Sequence, residues 1–327
     1  DTNLINILNQ MIENIRNIQK LNTHPNEEKV ERLAREFQQK ISTLELGHSF
    51  YLPGGWENRD KHGHGMILSF TRSDNDHLEF KIYNGGAGMQ LHDELESLTS
   101  VKYMPVKIYQ LDLSKATNPD FTEFIKSLIQ PQICHAPWRK NEFFSYDEYL
   151  LYEEIHLQLN IMQGLILDAR KIIDTQLSGS GITSGTCTQA SIQQFLKVYF
   201  NDMIQYKKFM VFYKIHAIED YLTEYPAPQS IVAQLINKAI INIQRIIHDN
   251  DSYFLKNEQK TLENRLQLLN VLESPIVPTY EKIITLPMPP EVLSIPDIQP
   301  KMPVYQENKQ ISSIPSNPEI EMFQALE

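Results

Sequence analysis

The chain has 327 residues, a hydrophobic fraction of 41% and a formal net charge of -11, which allows two ordinary domains with a sizeable core. The acidic balance argues against nucleic acid as a partner, because phosphate binding depends on concentrated Lys and Arg. Two Cys are too few for a disulfide framework, and no apolar run reaches the roughly 18 residues that suggest a membrane span.

In chain order, Leu4, Ile7, Leu8, Met11, Ile12, Ile15 and Ile18 recur at helical spacing until the stretch around Pro25. A second helix is predicted over Glu27–Leu46, with an apolar stripe through Val30, Leu33, Phe37, Ile41 and Leu44, so residues 1–46 form an N-terminal helical segment. The period then shortens. Met66–Thr71 and His77–Tyr83 read as strands joined by the polar turn Arg72–Asp76, and Val101–Leu113 adds more strand. Phe121–Ile129 reads as a short helix capped by Asp120 after Pro119, and Ser145–Ile173 reads as helix throughout. A glycine loop over 177–186 precedes a helix over 188–202, whose apolar face holds Ile192, Phe195, Leu196, Tyr199 and Phe200. Helices over 205–223, 229–249 and 253–272 make 203–272 a helical module. The stretch from Pro275 to Glu327 holds ten of the 18 Pro and no Gly, so 273–327 reads as an extended, Pro-rich tail that docks on a surface. The expected fold is α+β: a small mixed or antiparallel sheet with flanking helices over 47–202, and helical additions at both ends.

Glycine locates the unusual backbone. Ordinary usage would place roughly 23 in a chain of this length, yet there are 12. Eight fall between Gly47 and Gly88, and Gly179, Gly181 and Gly185 form a second group. Glycine serves where φ is positive or another group approaches closely, so these two segments are where chemistry is sought.

In a hairpin, the residue entering the first strand lies beside the residue leaving the second. With the turn centred near 74–75, His64 is expected to face Asn84 or Gly85. Both lie among glycines, in Lys61-His-Gly-His-Gly65 and Tyr83-Asn-Gly-Gly-Ala-Gly88. The Asn84 amide oxygen would hold one imidazole nitrogen and leave the other to deprotonate a nucleophile. Cys187 is the candidate nucleophile. It follows the glycine loop and opens an apolar-faced helix, where the helix dipole and an adjacent His64 both favour thiolate. Taken singly, each residue has an ordinary use: a small buried Cys, a structural His, a turn Asn. The three in this arrangement outweigh those separate readings. Cys134 has neither a glycine loop before it nor a helix behind it, and reads as structural.

The order His, an acid or amide about 20 residues on, then Cys at a helix start resembles the ubiquitin-like-protein proteases (SUMO proteases and deneddylases, clan CE). It also resembles related cysteine-protease effectors of intracellular bacteria. His64-Gly-Met-Ile-Leu-Ser-Phe70 matches the strand opened by the family's His, and Phe80-Lys-Ile-Tyr-Asn84 the strand ended by its third member. The likeness covers roughly 47–202. It implies a thiol protease or isopeptidase, with no cofactor, that cleaves ubiquitin or ubiquitin-like conjugates through Cys187, His64 and Asn84. It further implies an oxyanion role for a Gln before the Cys, here Gln176, and a narrow substrate channel involving Trp56 and Gly185. Asn84 stands where the family usually has Asp, and Gln176 lies further from the Cys than in the family. An Asn-, Ile-, Lys- and Gln-rich composition suits an AT-rich bacterial genome, so a cytoplasmic setting, including delivery into a host cytosol, is expected. The helical module would then recognise a host protein.

Three other readings stay open. An acyltransferase effector would use the same Cys–His centre. A helical interaction protein would have no enzymatic centre at all. A metal site would gather His62, His64 and His92.

Overall fold

Alternation along the strands decides the architecture. Phe50, Leu52, Leu68, Phe70, Leu78, Phe80, Ile82, Tyr109 and Leu111 all enter one core, whereas Tyr51, Ile67, Tyr83, Val106 and Ile108 enter another. A period of two with both parities buried means a sheet covered on both faces. The computed structural model describes residues 2–57, 63–95, 101–133, 147–173, 175–178, 187–225, 230–249 and 254–269. Cys134, His62, Gly185 and the 273–327 tail fall outside them.

Within these residues the elements run α1 (Thr2–Thr23), α2 (Glu27–Ser42), β1 (Ser49–Glu57), β2 (Gly63–Arg72), β3 (His77–Tyr83), β4 (Glu94–Leu95), β5 (Lys102–Tyr103), β6 (Val106–Asp112), α3 (Pro119–Ile129), α4 (Glu148–Ile161), β7 (Leu165–Leu167), α5 (Cys187–Phe200), α6 (Met203–Glu224), α7 (Ser230–Asp249) and α8 (Lys256–Leu269). The fold is α+β. One sheet of order β1-β2-β3-β6-β7 is antiparallel throughout, and β4 pairs with β5 in a second, two-stranded sheet. Among the described residues no helix is long and apolar enough to cross a membrane.

The chain divides into two compact units, 1–210 and 211–327. In the first, α2, α3 and α4 supply Phe37, Phe121, Phe124 and Tyr152 to one face of the sheet, and α5 supplies Phe195 and Leu196 to the other. Asn26 caps α2 by accepting from the Glu28 and Lys29 amides, and Asp147 caps α4 by accepting from Leu150. In the second unit, Val211, Ile215 and Ile218 of α6 share a core with Ile236, Ile240 and Ile243 of α7 and with Leu262 and Leu266 of α8. There the Arg265 guanidinium bonds to Glu219 and holds its carboxyl below the usual range.

Several elements differ from the sequence reading. Ser145–Ile173 is not helix throughout. The α4 helix ends at Ile161, Gln163 adopts φ 59, and the chain returns as β7 against β6. The Gly164 amide donates to Leu159 O at 2.8 Å, which closes the helix as left-handed C-terminal turns do. The cap position of α3 is Asn118, with Pro119 and Asp120 in the first turn, because proline is pre-set for the first helical position. The strand β1 was not foreseen across Pro53-Gly54-Gly55. It is an edge strand, where a residue without N–H is tolerated, and α1 lies along it. Gln10 Oε1 accepts from Tyr51 N at 2.9 Å and Asn14 Nδ2 donates to Tyr51 O at 2.7 Å. Side chains thus satisfy an edge that would otherwise pair with another chain.

Candidate active site

The site forms where β2 begins and β3 ends. Ile67 pairs with Tyr83, and counting three residues further brings His64 level with Gly86 rather than with Asn84 or Gly85. The hairpin register is therefore one residue from that of a turn symmetric about 74–75. Asn84, one residue past the strand, meets His64 diagonally: Asn84 Oδ1 lies 2.8 Å from His64 Nε2. Both are buried, His64 at 6% and Asn84 at 0% exposure. Across the other side of β2, Trp56 pairs directly with His64, and their rings lie 4.9 Å apart between centroids.

Cys187 is the first residue of α5. This helix packs on the ends of β2 and β3, where missing side chains let it approach. A Cβ on Gly65 would lie 2.2 Å from Thr188 Oγ1. A Cβ on Gly86 would lie 2.7 Å from His64 Cε1, 3.3 Å from His64 Nδ1 and 3.2 Å from Cys187 Cβ. Gly86 thus leaves the space in which imidazole and cysteine meet, with Nδ1 facing the thiol because Nε2 is held by Asn84.

The thiol is half-buried, which by itself would raise its pKa. The hydrogen bond between the thiol and His64 outweighs that, and Gly65 N–H, 3.4 Å from Sγ, adds to it. Together they bring the thiol from its ordinary 9.0 down to about 7. A cleft of about 650 Å³ opens beside Cys187 and His64, with Leu8, Met11 and Ile15 of α1, Trp56 of β1 and Met66 of β2 among its lining residues. The arrangement can generate a thiolate at neutral pH, orient a base against it and receive an apolar segment alongside.

The structure brings together Cys187, His64, Asn84 and Trp56. Gln176 belongs to the short turn Thr175–Leu177; its side chain and Gly185 lie outside the described residues. His92 does not stand beside His64 as a ligand. Its Nδ1 lies 3.0 Å from Met104 O and its Nε2 2.7 Å from Tyr152 Oη, and burial lowers its pKa to about 3. Among the described residues no group of three His, Cys, Asp or Glu is placed to hold a metal ion. Two features escaped the sequence reading. Tyr152 of α4 contacts Asn84 through Nδ2 at 3.3 Å, 68 residues away with no motif to mark it. The apolar stripe of α1 was visible but reads as ordinary core.

No protein-family model, curated protein or solved structure matches the chain.

Proposed function

We propose that the chain is a cysteine protease or isopeptidase cleaving ubiquitin or ubiquitin-like conjugates, with Cys187 as nucleophile, His64 as base and acid, and Asn84 as the group that orients the imidazole. One observation carries this reading. A thiol at a helix start is hydrogen-bonded by an imidazole whose other nitrogen is held by a buried amide at 2.8 Å. A structural cysteine needs none of these partners, whereas a nucleophile needs all of them.

In the reaction the Sγ proton passes to His64 Nδ1, and the thiolate attacks the carbonyl that follows the modifier's C-terminal Gly. The carbonyl π pair moves onto oxygen, where backbone N–H groups at the start of α5 supply donors. As the tetrahedral adduct collapses, the C–N bond breaks and the leaving amine takes the Nδ1 proton. Water, deprotonated by His64, then attacks the thioester. The modifier leaves with a free carboxylate, and the thiol is restored. The cleft beside Trp56 takes the residues that precede the scissile carbonyl. The net charge of -11 suits a basic ubiquitin-like partner. The α6–α8 helices are assigned to recognition of a host protein, in a host or bacterial cytosol.

The test is incubation with a panel of ubiquitin-like proteins bearing C-terminal electrophiles, read by intact mass, with Cys187→Ala as control. A covalent adduct at Cys187 with at least one probe is expected. No adduct with any probe, while iodoacetamide still alkylates Cys187, overturns the proposal. Acyl loading from acetyl-CoA in place of probe capture reassigns the centre to acyl transfer.

A further inference from the structure

Two buried residues take no part in the steps above, yet they join the orienting amide in one hydrogen-bond chain. We propose that Tyr152 and His92 are positioning residues: they fix which way the Asn84 amide points, and thereby hold His64 as the Nε2–H tautomer with its Nδ1 lone pair toward Cys187. This rests on reading Cys187, His64 and Asn84 as the reacting centre.

The direction of every bond follows from groups that have no choice. Met104 O can only accept, so His92 Nδ1, 3.0 Å away, carries a hydrogen and donates to it. His92 is buried and neutral, so its Nε2 is then a lone pair. The 2.7 Å contact at Nε2 must be donated by the Tyr152 hydroxyl. That hydroxyl has one hydrogen, now committed, so its oxygen can only accept from the Asn84 group at 3.3 Å, which must be the NH2. Ala87 O, 2.7 Å from the same nitrogen, demands a donor independently. At the other end of the amide, the Gly86 N–H donates to Oδ1 at 2.9 Å. With Oδ1 fixed as the oxygen, His64 Nε2 must donate to it, and Nδ1 is left as the base.

Orientation therefore passes from a strand-flanking carbonyl to the imidazole through two side chains that touch no reacting atom. An amide is the residue type this chain requires. A carboxylate at 84 would have nothing to donate to Tyr152 or Ala87.

Two measurements on the full chain test this. In the wild type, ¹⁵N resonances of labelled histidines are expected to report His64 protonated at Nε2 and His92 protonated at Nδ1; the opposite tautomer at either residue overturns the proposal. This readout does not depend on any variant folding. In the second, Tyr152→Phe is expected to slow iodoacetamide alkylation of Cys187 at pH 7 by roughly 3- to 10-fold, the size of one lost hydrogen bond. In an Asn84→Ala background the same change is expected to slow it no further, because Tyr152 acts only through Asn84. An undiminished second loss marks a merely structural tyrosine and overturns the proposal. His64→Ala separates the two readings. If it leaves alkylation unchanged, the reacting centre itself is wrong. If it slows alkylation while Tyr152→Phe does not, only the positioning role fails.

Discussion

Trp56 and His64 face each other across β1 and β2, with ring centroids 4.9 Å apart and planes inclined at 40°. The indole, 8% exposed, packs against the imidazole where both border the cleft. It keeps water from the bond between His64 and Asn84, and a lower local dielectric strengthens that bond and the attraction between imidazolium and thiolate. Trp56→Ala is expected to cost about 3–5 kcal/mol of stability, as large-to-small aromatic replacements in cores do, and to raise the Cys187 pKa as water enters. Trp56→Phe, which keeps an aromatic face, is expected to fall between. Urea unfolding and the pH profile of alkylation measure the two effects separately.

The thiol's titration carries a sign that can be checked. Its pKa falls from 9.0 to about 7 on folding, chiefly through the hydrogen bond to His64. Alkylation of Cys187 should be half-maximal near pH 7 in the wild type and at higher pH in His64→Ala. Between pH 7 and 9 the unfolded chain binds the thiol proton more readily than the folded one, so this group's contribution to stability rises with pH through that window. The contribution is fully present above pH 9 and is lost as pH falls through 7. Thermal melts at pH 6 and 9 should therefore diverge less for Cys187→Ala than for the wild type.

Gly86 offers a substitution that acts by space alone. A Cβ there would stand 2.7 Å from His64 Cε1 and 3.2 Å from Cys187 Cβ, so Gly86→Ala forces base and nucleophile apart. The expected result is a folded protein with an unchanged circular dichroism spectrum and a Cys187 pKa at least one unit higher. At pH 7 a rise of one unit from about 7 takes the thiolate from about a half to about a tenth of the thiol, which is roughly fivefold slower alkylation. An unchanged alkylation profile would mean that His64 and Cys187 do not share this space.

How far the sequence discloses this arrangement depends on the range of each contact. The β2–β3 hairpin and the helix beginning at Cys187 follow from local periodicity. So does the nearness of His64 and Asn84, because a short turn leaves the strands little choice of partner. The register itself does not follow. The Asp74 side chain accepts from the Asp76 and His77 amides and tightens one side of the turn, so counting from 74–75 misses by one residue. The β7 strand was hidden because a three-residue apolar run after a helix looks the same as more helix. Tyr152 and His92 were beyond reach for a different reason. Tyr152 is unremarkable in its own segment and His92 reads there only as a possible metal ligand, and their role exists only once α4 brings Tyr152 against Asn84 and His92.

Asn84 is held by contacts that call for a donor, and replacing it with Asp is expected to harm the chain. Asn84 is fully buried, and its Nδ2 donates to Ala87 O at 2.7 Å and to Tyr152 Oη at 3.3 Å. Asn84→Asp would set a carboxylate oxygen against the Ala87 carbonyl, acceptor against acceptor. It would also bury a charge whose donors, among the described residues, are the Gly86 amide and His64. Leaving one buried polar group unsatisfied costs about 1–3 kcal/mol, and more when the group is charged. Asn84→Asp should therefore unfold at lower urea than the wild type, and its deficit should grow as pH rises from 5 to 8 and the carboxyl ionises. Asn84→Ala removes the amide without adding a charge, so it should be the more stable of the two variants at pH 8 while losing the oriented imidazole. A variant Asn84→Asp as stable as the wild type at pH 8 would mean that the Ala87 and Tyr152 contacts do not require a donor, and the amide would then have no structural reason to stand in place of an acid.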